Sequence, residues 1–133
     1  MNKETLDALF SAKNLQEIFP KERANEFFDA LFGDAEEGAY DIKLAYIGSD
    51  TRTISLELQL LERPGRCLAC NLTQGLPTVF SRHPVINIAG VVQDIDKLLA
   101  GRGARCIDWS LGYTKQKSKS VHAIPLTITL EKN

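Results

Sequence analysis

The sequence predicts an α+β domain in which helices cover one face of an antiparallel sheet. Apolar residues recur with the helical period of 3.6 in the first third of the chain and again over residues 88–99. In four other segments they alternate with polar residues, as in half-buried strands. The links between consecutive strands are short enough for hairpins, which favours antiparallel pairing. The predicted order is α-α-β-β-β-α-β-β, with about five strands.

The chain has the size of one globular domain. It contains 133 residues, 44% hydrophobic and 25% charged, enough for a single two-layer core. No linker, repeat or low-complexity segment divides it. We therefore expect one domain over residues 1–133, with a helical segment over 1–33 and a sheet plus one helix over 40–133.

Three helices are expected. Segments 5–12 and 20–32 each carry an apolar face, and Pro20 and Gly33 suit the start and the end of the second segment. Asn87 is a suitable N-cap for the third helix, over 88–99, and Gly101 and Gly103 stop it. The apolar residues that define these faces are Leu6, Leu9, Phe10, Ala24, Phe27, Phe28, Leu31, Phe32, Ile88, Val91, Val92, Ile95, Leu98 and Leu99.

Five strands are expected. Segments 40–46 and 54–60 alternate and are joined by a polar turn, so they form a hairpin. Pro64 and Gly65 suit a type II turn that would lead into a third strand over 66–72. Residues 73–87 contain one glycine and two prolines and are expected to form an irregular connection. Segments 106–113 and 124–130 form the last hairpin, whose loop over 114–120 carries three lysines.

The charge distribution excludes some classes of function. The formal net charge is -1, although the first 61 residues are acidic and the remainder is basic. Such halves either cancel within one fold or meet as complementary faces, in a monomer or a homodimer. A pI near 6.1 does not supply the basic patch that nucleic acid requires. No apolar run approaches ~20 residues, so no membrane span is expected. The N-terminus lacks the apolar region of a secretion signal, so we expect a cytoplasmic protein.

Cysteine is the residue type with the clearest chemical potential. The chain has Cys67, Cys70 and Cys106, which in a reducing cytosol are expected to be thiols or ligands rather than disulfides. In a regular strand the first two sulfurs would point to opposite faces, whereas in a turn they would converge, and both conformations remain open. With His83 as the fourth ligand, the set would form a zinc site. His122 is expected opposite Gly112, about six residues from Cys106 and so roughly 20 Å away, too far to share a metal with it.

Two other interpretations of the cysteines compete with zinc. They are small structural residues, or they take part in thiol redox chemistry. Arg66 and Arg105 each precede a cysteine, and a neighbouring cation lowers the pKa of a thiol. Cys106 shares the parity of Asp108, which predicts that it lies off the apolar face.

A thioredoxin-like mechanism is disfavoured, because the residues after Cys70 do not begin a helix. No nucleophile-base pair has an orienting group, so no catalytic residue is predicted.

A group of arginines is a candidate anion site. Guanidinium groups bind carboxylate or phosphate through two parallel hydrogen bonds. The alternative is ordinary ion pairing with the acidic first third of the chain. The candidates are Arg63, Arg66, Arg82, Arg102 and Arg105.

Two runs of sequence carry a resemblance. CLACNLTQGLP at residues 67–77 and FSRHPVIN at 80–87 resemble a family of small uncharacterised bacterial proteins, some of which carry a misleading homeobox-type name. The resemblance covers about residues 40–130 and implies no established activity. A homeodomain needs three helices and a basic recognition helix, whereas the helix at 88–99 is apolar and carries Asp94 and Asp96.

The element order also resembles that of type III secretion chaperones, small acidic dimers with an α-β-β-β-α-β-β order. This resemblance implies dimerisation and the binding of a protein partner. The extra N-terminal helix and the missing final helix depart from that order.

We therefore expect a non-enzymatic, cytoplasmic binding or regulatory module without a cofactor. It would act through contacts with a protein partner or through a small anionic ligand, and would bind neither nucleic acid nor membrane. The alternative is a zinc-binding or thiol-redox protein that uses Cys67, Cys70, His83 and Cys106.

Overall fold

The computed structural model describes residues 3–68 and 73–132, and it confirms the predicted α+β fold. In these residues, helices pack on an antiparallel sheet of five strands. The helices are α1 (Lys3–Leu9), α2 (Ala12–Ile18), α3 (Glu22–Phe32), α4 (Leu76–Arg82) and α5 (Ile88–Leu99), and short 3-10 turns span Ala35–Glu37 and Thr73–Gly75. The strands are β1 (Tyr40–Ser49), β2 (Thr53–Glu62), β3 (Ala104–Leu111), β4 (Lys115–Gln116) and β5 (Val121–Lys132).

The sheet has the order β1-β2-β5-β3, and β4 pairs with β5 beyond the end of β3. One face is apolar and packs under the helices, with Leu58 and Ile124 fully buried at its centre. On the opposite face Asp41 and Lys43 are exposed. The core therefore lies between one face of the sheet and the helical layer. No helix in the described part of the chain is long and apolar enough to cross a membrane.

The N-terminal segment forms two helices where the sequence predicted one over 5–12. The Ser11 side chain accepts a hydrogen bond from the backbone N–H of Asn14 and caps α2. Serine favours this capping position over a helix interior, which explains the break between α1 and α2. The predicted helix over 20–32 is confirmed as α3, which ends at Gly33 with φ 76°.

The turn at Pro64 and Gly65 forms as predicted. Gly65 has φ 74°, and the N–H of Arg66 donates to the carbonyl of Arg63. The strand expected over 66–72 does not begin in the described residues 66–68, and residues 69–72 lie outside the description. The backbone N–H of Leu68 instead donates to the side chain of Glu62. The chain thus folds back on the end of β2 rather than pairing along it.

The connection expected to be irregular, 73–87, contains the helix α4. Pro77 lies in its first turn, where the missing N–H of proline costs no helical hydrogen bond. The chain then leaves the helix at His83, whose Nδ1 accepts the N–H of Val85. Asn87 caps α5 as predicted, by accepting the N–H of Gly90. The prolines therefore bound a short helix instead of preventing one.

Candidate functional site

A groove lies between α4 and the C-terminal end of β3, with a volume of about 630 Å³. Its lining combines apolar, hydroxyl and amide groups with one guanidinium group, and Tyr113 at its border is 88% exposed. The residues that line it are Gln74, Pro77, Thr78, Ser81, Arg82, Trp109, Ser110, Leu111, Gly112 and Tyr113. The volume suits a small molecule or a short peptide.

Buried contacts hold both walls of the groove in place. On the α4 side, Phe80 is fully buried and meets the ring of Phe27 edge-on at 5.4 Å. At the start of that wall, the Thr114 hydroxyl donates a hydrogen bond of 2.6 Å to the backbone carbonyl of Thr73. The Thr73 hydroxyl also lies 2.7 Å from Nδ1 of His122. Hydrogen bonds inside the core therefore connect the turn before α4 to the last hairpin.

The β3 wall is a free sheet edge, since among the described residues β3 pairs only with β5. The N–H of Gly112 donates to Pro125 at 2.8 Å, and Leu111 stands opposite Leu126. Hydrogen-bonded and non-bonded pairs alternate along an antiparallel ladder. The peptide groups of Ser110 therefore point toward β5, and those of Trp109 and Leu111 point away from it, at the open edge that lines the groove.

The other half of this edge is covered. The Asp96 side chain on α5 accepts the backbone N–H of Cys106 at 2.7 Å. Ile107 is the extra residue of a β-bulge that separates this covered half from the groove. Bulges and side-chain caps commonly limit pairing at sheet edges. The open part of the edge thus spans only a few residues.

The charge of the groove is positive. Among the described residues that line it, Arg82 is the only charged one. A second cavity of about 450 Å³ lies between α3 and β1. There Lys21 and Lys43 are balanced by Glu22 and Asp41. An anionic group therefore fits the first groove better than the second cavity.

The three described residues of the predicted zinc site have different environments. Cys67 is exposed and disulfide-bonded, contrary to the expectation of a thiol or ligand, and Cys70 lies outside the described residues. His83 packs edge-on against Phe27, with ring centroids 4.8 Å apart. Cys106 is a half-buried free thiol on β3. Within the described part of the chain, no group of three or more His, Cys, Asp or Glu residues could hold a metal ion.

The prediction that Cys106 lies off the apolar face is wrong. The bulge at Ile107 adds one residue between Cys106 and Asp108. Because of this extra residue, side chains that precede the bulge point to the face of the sheet opposite to the one that strict alternation predicts. Cys106 consequently pairs with Leu130 and packs against the core. Burial first, and then the adjacent Asp96 carboxylate, raise the pKa of the Cys106 thiol to about 12. The expected lowering by Arg105 is therefore also wrong.

His122 lies in a different register from the predicted one. It stands opposite Gln116 rather than Gly112, while Cys106 stands opposite Leu130. His122 and Leu130 are eight positions apart in β5, which is roughly 26 Å along a strand. The prediction that His122 and Cys106 are too far apart to share a metal therefore agrees with the observed pairing.

Three of the five candidate arginines bond to other protein groups. Arg63 is the most extensively bonded: it donates to side chains of Asp41 and Asn25 and to the carbonyls of Ala35 and Gly38. Arg66 donates to the carbonyl of Glu36, and Arg105 pairs with Glu131 at 3.0 Å. Arg102 is exposed beside α1. The structure does not bring the five together, and Arg82 alone lines the groove.

The sequence reasoning missed the contribution of β3 to this site. The sequence predicts Trp109 and Tyr113 only as members of an alternating strand, without a binding role. One signal is present: the chain has a single tryptophan, and it falls in one of the four alternating segments. Its position at a free edge could not be inferred, because strand order depends on pairing with distant segments.

The fold and the groove define a two-layer α+β protein with a ligand-sized cleft beside a free sheet edge. Comparison of the chain with protein-family models, with curated protein sequences and with solved structures gave no match.

Proposed function

We propose that the protein is a non-enzymatic, cytoplasmic binding module whose anionic ligand or protein partner occupies the groove between α4 and β3. The observation that carries this proposal is the lining of the groove, where Arg82 and Trp109 occur without an opposing carboxylate. A guanidinium group and an aromatic face together recognise a carboxylate or phosphate attached to an apolar body.

The chemistry of the lining supports binding rather than catalysis. The Ser81 hydroxyl donates to the carbonyl of Thr78 at 2.8 Å, within its own helix. None of the described residues that line the groove is a histidine, cysteine, aspartate or glutamate able to serve as a general base. Cys106, with its raised pKa, stays protonated near neutral pH and is a weak nucleophile.

The single tryptophan makes the groove directly observable. Trp109 fluorescence would be titrated with acetate, succinate, benzoate and inorganic phosphate. We expect saturable changes for at least one anion, and a loss of affinity of about tenfold in Arg82→Gln. Arg102→Gln, at an exposed arginine outside the groove, is the matched control and should bind as the parent does. The small-anion form of the proposal fails if no anion gives a saturable change, or if both variants lose affinity equally.

The disulfide at Cys67 favours thiol redox chemistry as a second candidate function. The sulfur atoms of a disulfide are not thiolate ligands, so this state also opposes the zinc form of that alternative. Incubation with a dithiol of graded redox potential, followed by alkylation and mass measurement, gives the potential of the bond. A value near that of cytosolic glutathione would support a redox role. A value far below it would indicate a structural bond. Native mass spectrometry of the reduced protein with and without a chelator tests zinc.

A further inference from the structure

We propose that the occupant of the groove is an extended segment of a partner protein that adds to β3 as a new edge strand and presents an acidic side chain to Arg82. This inference rests on the proposed function and names the class of partner. Addition of a strand to a sheet edge is one of the recurring modes of peptide recognition.

The first support is the orientation of the backbone. The peptide groups of Trp109 and Leu111 point away from β5, at the edge that lines the groove, as the bond between Gly112 and Pro125 and the strand register imply. Among the described residues, no backbone or side-chain group bonds to them. Each residue offers one donor and one acceptor, spaced as a paired strand requires. A small anion could use at most the two donors, whereas a peptide backbone would satisfy the acceptors as well.

The second support is the shape of the site. The lining includes five consecutive residues, 109–113, which span roughly 17 Å in extended form. The covered amide of Cys106 ends the available edge on one side. A segment of about five residues therefore fits, and its pairing cannot extend along β3 as far as Cys106.

The third support concerns the two faces of the added strand. Trp109 and Leu111 belong to the helix-covered face of the sheet, where they pack against the core. Alternate side chains of the added segment would point toward α4, beside Pro77 and Thr78, and should be apolar. One of these helix-facing positions meets Arg82 and should be acidic. The remaining side chains would lie beside exposed Ser110 and should be polar.

Charge complementarity distinguishes this occupant from a second copy of the chain. In a two-fold symmetric dimer the same surface patch meets itself. The groove would then place Arg82 against a surface whose described lining contains no carboxylate. An acidic segment of another protein supplies the missing charge.

The test uses the full chain and a defined set of peptides. Six-residue peptides, acetylated and amidated at their ends, would alternate valine with threonine, and each valine would be replaced in turn by glutamate. We expect one glutamate peptide to bind, with a dissociation constant about tenfold weaker for Arg82→Gln. N-methylation of a pairing amide should weaken binding by a similar factor, whereas N-methylation of the next amide should not. Equal effects of both methylations would overturn the inference.

Amide hydrogen exchange locates the bonds on the protein side. Peptide binding should slow exchange at Trp109 and Leu111, and should leave Ser110 and Gly112 unchanged because they already bond to β5. Leu111→Pro removes one groove-facing N–H, which an edge strand tolerates, and should abolish binding, while Leu111→Val retains it. If Leu111→Pro does not fold, the N-methylated peptides test the same bonds from the other partner.

The outcomes separate the two proposals. If small carboxylates change Trp109 fluorescence but no peptide binds, the proposed function stands and this inference is wrong. A valine-threonine peptide with a free C-terminal carboxylate is measured for comparison, and if only this peptide binds, the assignment of an acidic side chain is wrong. If sedimentation shows that the chain dimerises and Leu111→Pro prevents it, the occupant is a second copy. If neither anions nor peptides bind, both proposals fail.

Discussion

The Asp96 carboxylate of α5 accepts the backbone N–H of Cys106 on β3, at a distance of 2.7 Å. This bond satisfies an outward-facing amide at a sheet edge and also places a negative charge beside the Cys106 thiol. The same contact therefore limits the open edge to the groove and, together with burial, raises the pKa of the Cys106 thiol. Both consequences can be measured.

Asp96→Asn should make the Cys106 thiol more reactive. Burial, followed by the Asp96 charge, raises the pKa of this thiol to about 12, so the parent should react with iodoacetamide at least about a hundredfold more slowly than free cysteine at pH 8. Removal of the charge should increase the rate about tenfold, because it lowers the pKa. Asp94→Asn is the control, because Asp94 pairs with Lys97 instead. If Cys106 of the unsubstituted protein reacts as fast as free cysteine, the prediction is wrong.

Lys117→Met should destabilise the protein at neutral pH but not in acid. Burial alone would raise the pKa of the Glu57 carboxyl, but hydrogen bonds from Gln59 and Lys117 and the nearby lysine charges outweigh it and lower the pKa. The ionised Glu57 carboxyl therefore stabilises the folded state at pH values above its usual pKa of 4.5. This stabilisation is lost as the pH falls through the lower pKa of the folded state.

Urea denaturation measures this effect. The Lys117 ammonium lies 2.8 Å from Glu57 and is half-exposed, so we expect a loss of about 1 kcal/mol at neutral pH. Lys119→Met on the same exposed loop is the matched control. If Lys117→Met loses the same stability at neutral pH as it does well below pH 4.5, the ion pair between Lys117 and Glu57 is not the cause of the loss.

Thr114→Val should destabilise the chain by about 1–3 kcal/mol, because it leaves the buried carbonyl of Thr73 without its hydroxyl donor. Thr114→Ser keeps the hydroxyl and should retain most of the stability. The free energy of unfolding from urea titration decides between them. A Thr114→Val variant as stable as the parent would contradict a stabilising role for this hydrogen bond.

Arg63→Gln should destabilise the protein, whereas Arg82→Gln should leave its stability almost unchanged. Arg63 donates four hydrogen bonds and lies over the ring of Phe28, so its replacement should cost about 2–3 kcal/mol of stability. Arg82 is exposed, and its replacement should change stability by less than about 0.5 kcal/mol. Thermal unfolding of both variants gives the comparison. A stable Arg63→Gln variant would contradict the structural role assigned to Arg63.

The regular parts of the fold were predictable from local pattern. The stripe of α3, the cap of α5 by Asn87 and the turn at Gly65 each depend on residues within a few positions of one another. The sequence does not predict α4, because prolines ordinarily break a helix, although Pro77 occupies the first turn, where proline is tolerated. The strand β4 was missed because its two residues are too few to show a period.

The candidate site was predictable only in part. Arg82 was among the candidate anion-binding residues, but Trp109 and the edge it lies on were not. The parity argument for Cys106 failed at the Ile107 bulge, which a count of alternating residues does not reveal. Cys67 was expected to be a thiol or a ligand, and its disulfide depends on the proximity of two side chains rather than on composition.

Hydrophobic periodicity, capping residues and turn residues were sufficient to establish an α+β chain with an antiparallel sheet, because these signals act over a few residues along the backbone. The partners of each strand, the bulge in β3 and the groove beside Trp109 arise from contacts between segments far apart in the chain. Such contacts depend on which surfaces pack together most favourably in three dimensions, and a linear pattern of residues carries little information about that choice.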